Sequence, residues 1–440
     1  MVHAVVVPTG RARPRARRTS AALASVSAIL LGAAVTSTPA ASAGQTGPGQ
    51  GARCGADTNA STVASYAQSS GTASQHDQSF VTSTSDLSSV DVSGGDYALS
   101  GSSVTKTGDT TSDDDSSFEG LNAAVLADSG GAVSLSGVNV YTDGEGANGV
   151  YDTGTGSLLT MYGCSVYTVA SGSHGADATG AATLKLYGVD ITTLGESSSG
   201  VATDRGGGYV TEYGGNVTVS GSRSAAYYST GDITAYDVKA DSETDEGAVM
   251  DGSNELNLYR VDLTGDIGGV RLWNTLPFAM TTDGTALLDG GSLTVTGGDA
   301  FDAIDSLAVF DVEGHERVTE TGDLLSATSA STAVLNADQE QLSGDVVADS
   351  TSTATVNLAQ HSLWSGTADS AALSLSGGSV WIVTGDSSLT TVSGEQIHGD
   401  TVLGIIGNGH DVTYDAALSA NSALDGKTFE LAGGGELIPE

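Results

Sequence analysis

Small apolar residues alternate with Ser, Thr, Asp and Asn along most of this chain, in brief bursts separated by Gly-rich turns. Period-two patterning of this kind predicts half-buried β-strands. The bursts repeat: Leu159-Thr-Met-Tyr-Gly-Cys-Ser-Val, Leu184-Lys-Leu-Tyr-Gly-Val-Asp-Ile, Val210-Thr-Glu-Tyr-Gly-Gly-Asn-Val, Ile233-Thr-Ala-Tyr-Asp-Val-Lys-Ala and Leu256-Asn-Leu-Tyr-Arg-Val-Asp-Leu start 25, 26, 23 and 23 residues apart. A second element recurs between them, as in Gly149-Val-Tyr-Asp-Thr-Gly, Gly175-Ala-Asp-Ala-Thr-Gly and Gly247-Ala-Val-Met-Asp-Gly. Helical repeats would need a 3.6-residue period, leucine-rich repeats a Leu-x-x-Leu-x-Leu spacing, and a propeller blade about 40 to 45 residues. A parallel β-helix satisfies all the spacings, with equivalent strands of successive coils stacked about 4.8 Å apart.

About twelve coils are expected over residues 86–400, each rising about 4.8 Å. Residues 44–85, polar and without sustained periodicity, predict a linker or N-terminal cap. Residues 401–440 change character at Val402-Leu-Gly-Ile-Ile and Lys427-Thr-Phe-Glu-Leu and are expected to cap the C-terminal edge. Ahead of all this, five arginines between Arg11 and Arg18 precede an apolar run, Ala21 to Val35, and then Ala41-Ser42-Ala43. That order predicts a secretory signal peptide, residues 1–43, and a secreted, extracellular protein.

Charge narrows the partners. Without the signal, 10 basic residues face 53 acidic ones, a net charge of −43. Nucleic acid is an unsuitable partner, because phosphate neutralisation needs clustered Lys and Arg. An acidic face suits cations or neutral glycans better than polyanions, and it also keeps an extended protein soluble. No membrane span is expected in the mature chain. Of the two cysteines, Cys164 occupies a repeated apolar position and is expected as a buried thiol; pairing with Cys54 is the alternative.

With the coils laid out in this way, Lys106-Thr-Gly-Asp, Phe118-Glu-Gly-Leu-Asn-Ala-Ala-Val, Ala202-Thr-Asp-Arg-Gly-Gly-Gly, Tyr228-Ser-Thr-Gly-Asp-Ile, Leu342-Ser-Gly-Asp-Val-Val-Ala-Asp-Ser and Trp381-Ile-Val-Thr-Gly-Asp-Ser-Ser-Leu carry a resemblance. The chain resembles bacterial adhesin-like right-handed parallel β-helix repeat proteins, which are similar to autotransporter passenger domains. The resemblance implies an all-β, right-handed, pectin-lyase-like solenoid and an adhesin-like, non-catalytic role on extracellular glycans or surface partners, with no cofactor. Neither an outer-membrane barrel nor a wall-sorting motif is read after the coils, so any cell-surface association is expected to be non-covalent.

Chemistry offers several candidates. Tyr162, Tyr187, Tyr213, Tyr236 and Tyr259 fall at one position of five consecutive coils and are expected to point outward as a ladder. Such a ladder either shields the sheet or serves as a binding platform, with Asp190, Lys239 and Asp262 alongside. Glu212 breaks the apolar pattern one position before Tyr213. The pair Asp204 and Arg205 is read either as a ligand clamp or as a corner turn whose Arg offsets the acidic stack. Asp113, Asp114 and Asp115 are weak candidates for Ca²⁺, with solvated loops the simpler reading, and no metal site is expected. The histidines show no metal-ligand spacing. A glycan-cleaving β-helix enzyme is the alternative function; it requires two suitably spaced carboxylates, and a chain this acidic supplies pairs by chance. The motifs of polygalacturonases and pectate lyases are absent.

Overall fold

The computed structural model describes residues 61–63, 65–204, 207–275, 283–394 and 397–440. The expected signal peptide, Cys54 and Arg205 lie outside the described residues. The chain is all-β, with 56% strand and 4% helix, and winds into a parallel β-solenoid of about 15 turns. Twelve coils is therefore an undercount, for two physical reasons. Strand pairing begins before residue 86: Tyr66–Gln68 pairs with Val90–Val92, and Thr72–His76 with Asp96–Ser100. The coils also contract, from 26 residues between the hydrogen-bonded Asn139 and Ser165 to 21 between Asn336 and Asn357 and 17 between Ser362 and Ser379. A ruler set by the central coils overruns the short ones.

Among the described residues a 29-stranded sheet wraps two sides of the coils and a 13-stranded sheet closes the third as far as Asp369. The central register follows the repeated bursts: Leu159 pairs with Leu184, Leu184 with Val210, Val210 with Ile233 and Ile233 with Leu256. Along the strand Thr183–Thr193, Leu184, Leu186, Val189 and Ile191 are buried inside the coil. Between Leu186 and Val189 the strand turns a corner at Gly188, φ +59°, and Gly163 and Gly214 take the same left-handed conformation one coil before and after. Asp237 and Arg260 adopt it next without the freedom of glycine, and their side chains bond at 2.7 and 2.8 Å across the corner.

A helix, Asp113–Glu119, interrupts the stack. Ser112 caps it by accepting the Asp115 N–H, and Asp113, Asp114 and Asp115 form its acidic first turn, where the helix dipole favours negative charge. The helix lies on the outer face of the 13-stranded sheet. Tyr151 Oη donates to Ser117 O at 2.6 Å, Asn148 Nδ2 to Ser116 O at 3.1 Å and Thr179 Oγ1 to Phe118 O at 3.2 Å. At the other end parallel pairing gives way to antiparallel hairpins, Ile397–His398 with Thr401–Ile406 and Phe429–Ala432 with Glu436–Pro439. Hairpins satisfy strand edges that would otherwise be left open for another chain. No helix among the described residues is long and apolar enough to cross a membrane.

Candidate functional site

The outer face of the 13-stranded sheet carries one column in register: Tyr151, Asp177, Ala202, Tyr228, Val249, Arg271 and Asp302. The helix covers Tyr151. Beyond it the column becomes the floor of a groove of about 700 Å³, lined by Tyr228, Val249, Arg271 and Trp273. One wall is made by the turns that enter successive coils, at Ser171–Gly172, Glu196–Ser199, Arg223–Ala225 and Asp245–Glu246, and the helix contributes Asp113 and Ser117. Because each coil adds a turn at nearly the same place, the groove follows the solenoid axis.

Arg271 is held in the floor between Glu246, with which it forms a close ion pair, and Asp302 at 2.9 Å. Burial, with Asp245 beside it, pushes the Glu246 carboxyl up to about 7 against the pull of Arg271. Further along, His174 and Asp204 reach the same groove, with His174 Nε2 and Asp204 Oδ2 3.9 Å apart. Asp177 is buried beneath them; its Oδ1 accepts the Asp204 N–H at 3.2 Å, and its Oδ2 has no hydrogen-bond partner. Burial first, and the neighbouring Asp204 second, raise the Asp177 carboxyl well above the usual range, while burial lowers the His174 imidazole.

The side-chain donor atoms of His174, Asp177 and Asp204 lie within 4.8 Å of one another, a spacing compatible with a metal ion. The imidazole decides against that reading. Ser199 N–H donates to His174 Nδ1 at 2.9 Å, so the neutral ring keeps its proton on Nε2, the nitrogen that faces Asp204. A metal at Nε2 would need that lone pair and would turn an Nδ1–H against the Ser199 N–H. The cluster is built for protons and hydrogen bonds.

The tyrosine ladder forms on the opposite flank. Ring centroids from Tyr162 through Tyr187, Tyr213 and Tyr236 to Tyr259 are 5.0, 5.2, 4.9 and 4.8 Å apart, with planes within 9° of parallel. Each ring stacks on the next, so the ring faces meet each other and the edges face solvent. Beside the ladder runs a polar column in register, Asp190, Asn216, Lys239, Asp262, Ser292 and Arg317, in which Asn216 donates to Asp190 and Ser292 to Asp262, each at 2.7 Å. Cys164 is buried, its Sγ 3.4 Å from the Val138 N–H.

The structure thus joins Asp204 to His174 and Asp177, which sequence reasoning did not single out as a pair. A signal was present: Asp177 stands in the repeated Gly175-Ala-Asp-Ala-Thr-Gly element, where the equivalent residues are Tyr151, Ala202, Tyr228 and Val249. Asp113, Asp114 and Asp115 remain apart from this cluster, exposed on the helix. No protein-family model and no curated protein matches the chain, so the functional reading rests on the groove itself.

Proposed function

We propose that this protein is a secreted, adhesin-like β-helix rod, akin to autotransporter passenger domains, that binds neutral glycans in the groove over its 13-stranded sheet. The groove carries the reading: it runs along the coils and sets the aromatic rings of Tyr228 and Trp273 beside the polar groups of Arg271, His174 and Asp204. That mixture of apolar surface and a few placed polar groups suits sugar rings, which present C–H faces and hydroxyl edges. A net charge of −38 over the full chain disfavours polyanionic partners. The arginine-rich, apolar N-terminal segment supports an extracellular location. The test is a glycan array probed with the purified full chain: neutral glycans should bind, Trp273→Ala should lower their signal at least tenfold, and no neutral glycan above background would sink the reading.

A second reading, cleavage of the bound glycan, is favoured by Glu246 in the groove wall, whose carboxyl is pushed up to about 7 by burial and the neighbouring Asp245. A general acid works best near ambient pH. Release of new reducing ends from a neutral polysaccharide, lost in Glu246→Gln, would establish it over simple binding.

A further inference from the structure

His174, Asp177 and Asp204 each bring one ligand atom to within 4.8 Å of the other two. Three atoms that all lie within 4.8 Å of one another share a point no more than about 2.8 Å from each, which is hydrogen-bond length. His174 and Asp204 open onto the groove, with side-chain exposures of 9% and 14%, so whatever occupies that point can arrive from a ligand in the groove.

The three groups are not interchangeable. The Ser199 N–H fixes His174 as an Nε2–H donor. Asp177 is fully buried and its Oδ2 is unpartnered; burial and the adjacent Asp204 favour the protonated carboxyl, which makes it a second donor. Asp204 is left as the acceptor. Two donors and one acceptor around one oxygen match the capacity of a hydroxyl group, which has two lone pairs and one proton. A cation would find the Nε2 lone pair covered by a proton. A carboxylate or phosphate would bring no proton for Asp204 and would add negative charge beside it.

We infer that His174, Asp177 and Asp204 are the seat for one hydroxyl group of a neutral sugar bound in the groove, with His174 and Asp177 donating and Asp204 accepting. The inference rests on the groove being a glycan site and adds which chemical group is read there. It makes the cluster a specificity determinant: a sugar lacking that hydroxyl leaves the buried Asp177 Oδ2 unsatisfied and forgoes the contacts to His174 and Asp204, an arrangement that rejects deoxy analogues.

Isothermal titration of the full chain with cellotetraose, mannotetraose and xylotetraose, and with monodeoxy derivatives of the tightest binder, tests it. One monodeoxy derivative should bind at least tenfold more weakly than its parent sugar. His174→Phe and Asp204→Ala should each weaken the parent sugar at least tenfold, whereas Asp177→Asn, whose amide still donates, should stay within threefold. If every deoxy derivative binds within threefold of its parent, the seat is wrong, and this arm needs no protein variant to fold. If His174→Phe and Asp204→Ala bind normally while Trp273→Ala does not, the groove reading stands and the hydroxyl seat falls. If none of the neutral sugars binds, on this panel or on the array, both fall together.

Discussion

Glu212 occupies an inward position that Leu186 fills one coil earlier and Ala235 one coil later. It is fully buried, its Oε2 accepts from Tyr227 Oη at 3.0 Å, and burial pushes its carboxyl up to about 8. Asp152, likewise buried and accepting the Leu159 N–H at 3.1 Å, is pushed up to about 8 for the same reason. Between the usual carboxyl range and about pH 8 the folded state therefore holds protons that the unfolded chain has released. Stability must fall as pH rises through that window and level off above it. The melting temperature is expected to be higher at pH 5 than at pH 9. Glu212→Gln, neutral at every pH, should raise stability at pH 9 by on the order of a few kcal/mol and flatten the profile; chemical denaturation at the two pH values checks both. A steeper profile in Glu212→Gln would contradict the protonated core carboxyl.

The tyrosine ladder belongs to the scale of the element, because no single Tyr makes it. Four stacked contacts join the five rings. At about 0.5 to 1.5 kcal/mol per aromatic pair, the ladder contributes about 2 to 6 kcal/mol to the coils it spans. Replacing Tyr187, Tyr213 and Tyr236 together by Ser removes all four contacts and should lower the denaturation midpoint accordingly. Since the ring faces are turned to one another, glycan binding should survive the triple substitution in a folded protein. A triple variant that keeps its midpoint but loses binding would reverse the assignment and make the ladder the platform. Inside the narrower coils near the C-terminus the same device appears buried: Trp364 and Trp381 stack at 4.9 Å, and their indole N–H groups donate to Gly344 O at 2.9 Å and Gly366 O at 3.0 Å. Stacked identical side chains come naturally to a solenoid, where register puts equivalent residues one strand spacing apart.

At the scale of the whole molecule, charge dominates. A net charge of −38 on one chain repels itself, and the described ion pairs are few and mostly exposed, so they compensate little of it. Moderate NaCl should therefore raise the melting temperature by screening, most steeply below about 0.15 M, where the screening length shortens fastest. Ca²⁺ and Mg²⁺ at equal ionic strength should act alike: Asp113, Asp114 and Asp115 are exposed around a helix start, and among the described residues they belong to no group of acids close enough to hold an ion. A thermal scan series in the two salts, with calorimetry, measures this. An integral calcium stoichiometry at micromolar concentration would show a true site instead.

By itself the sequence determined the solenoid, because a parallel stack imposes its period on the residues: Leu159, Leu184, Val210, Ile233 and Leu256 recur in the text as they pair in space. The ladder was legible for the same reason, since one alternation rule sends each Tyr outward. The number of coils was not, because hydrogen bonding fixes the spacing between strands but leaves the length of the turns free, and the short C-terminal coils escape a constant ruler. Asp204 could be marked as a candidate, yet its meaning depends on His174, thirty positions away, whose ring lies 3.9 Å from it across the coil. Only the tertiary structure decides such a meeting. Register places backbones, whereas the direction of an imidazole and the burial of an acid beneath it depend on which turn is long, which is short and what the helix Asp113–Glu119 covers.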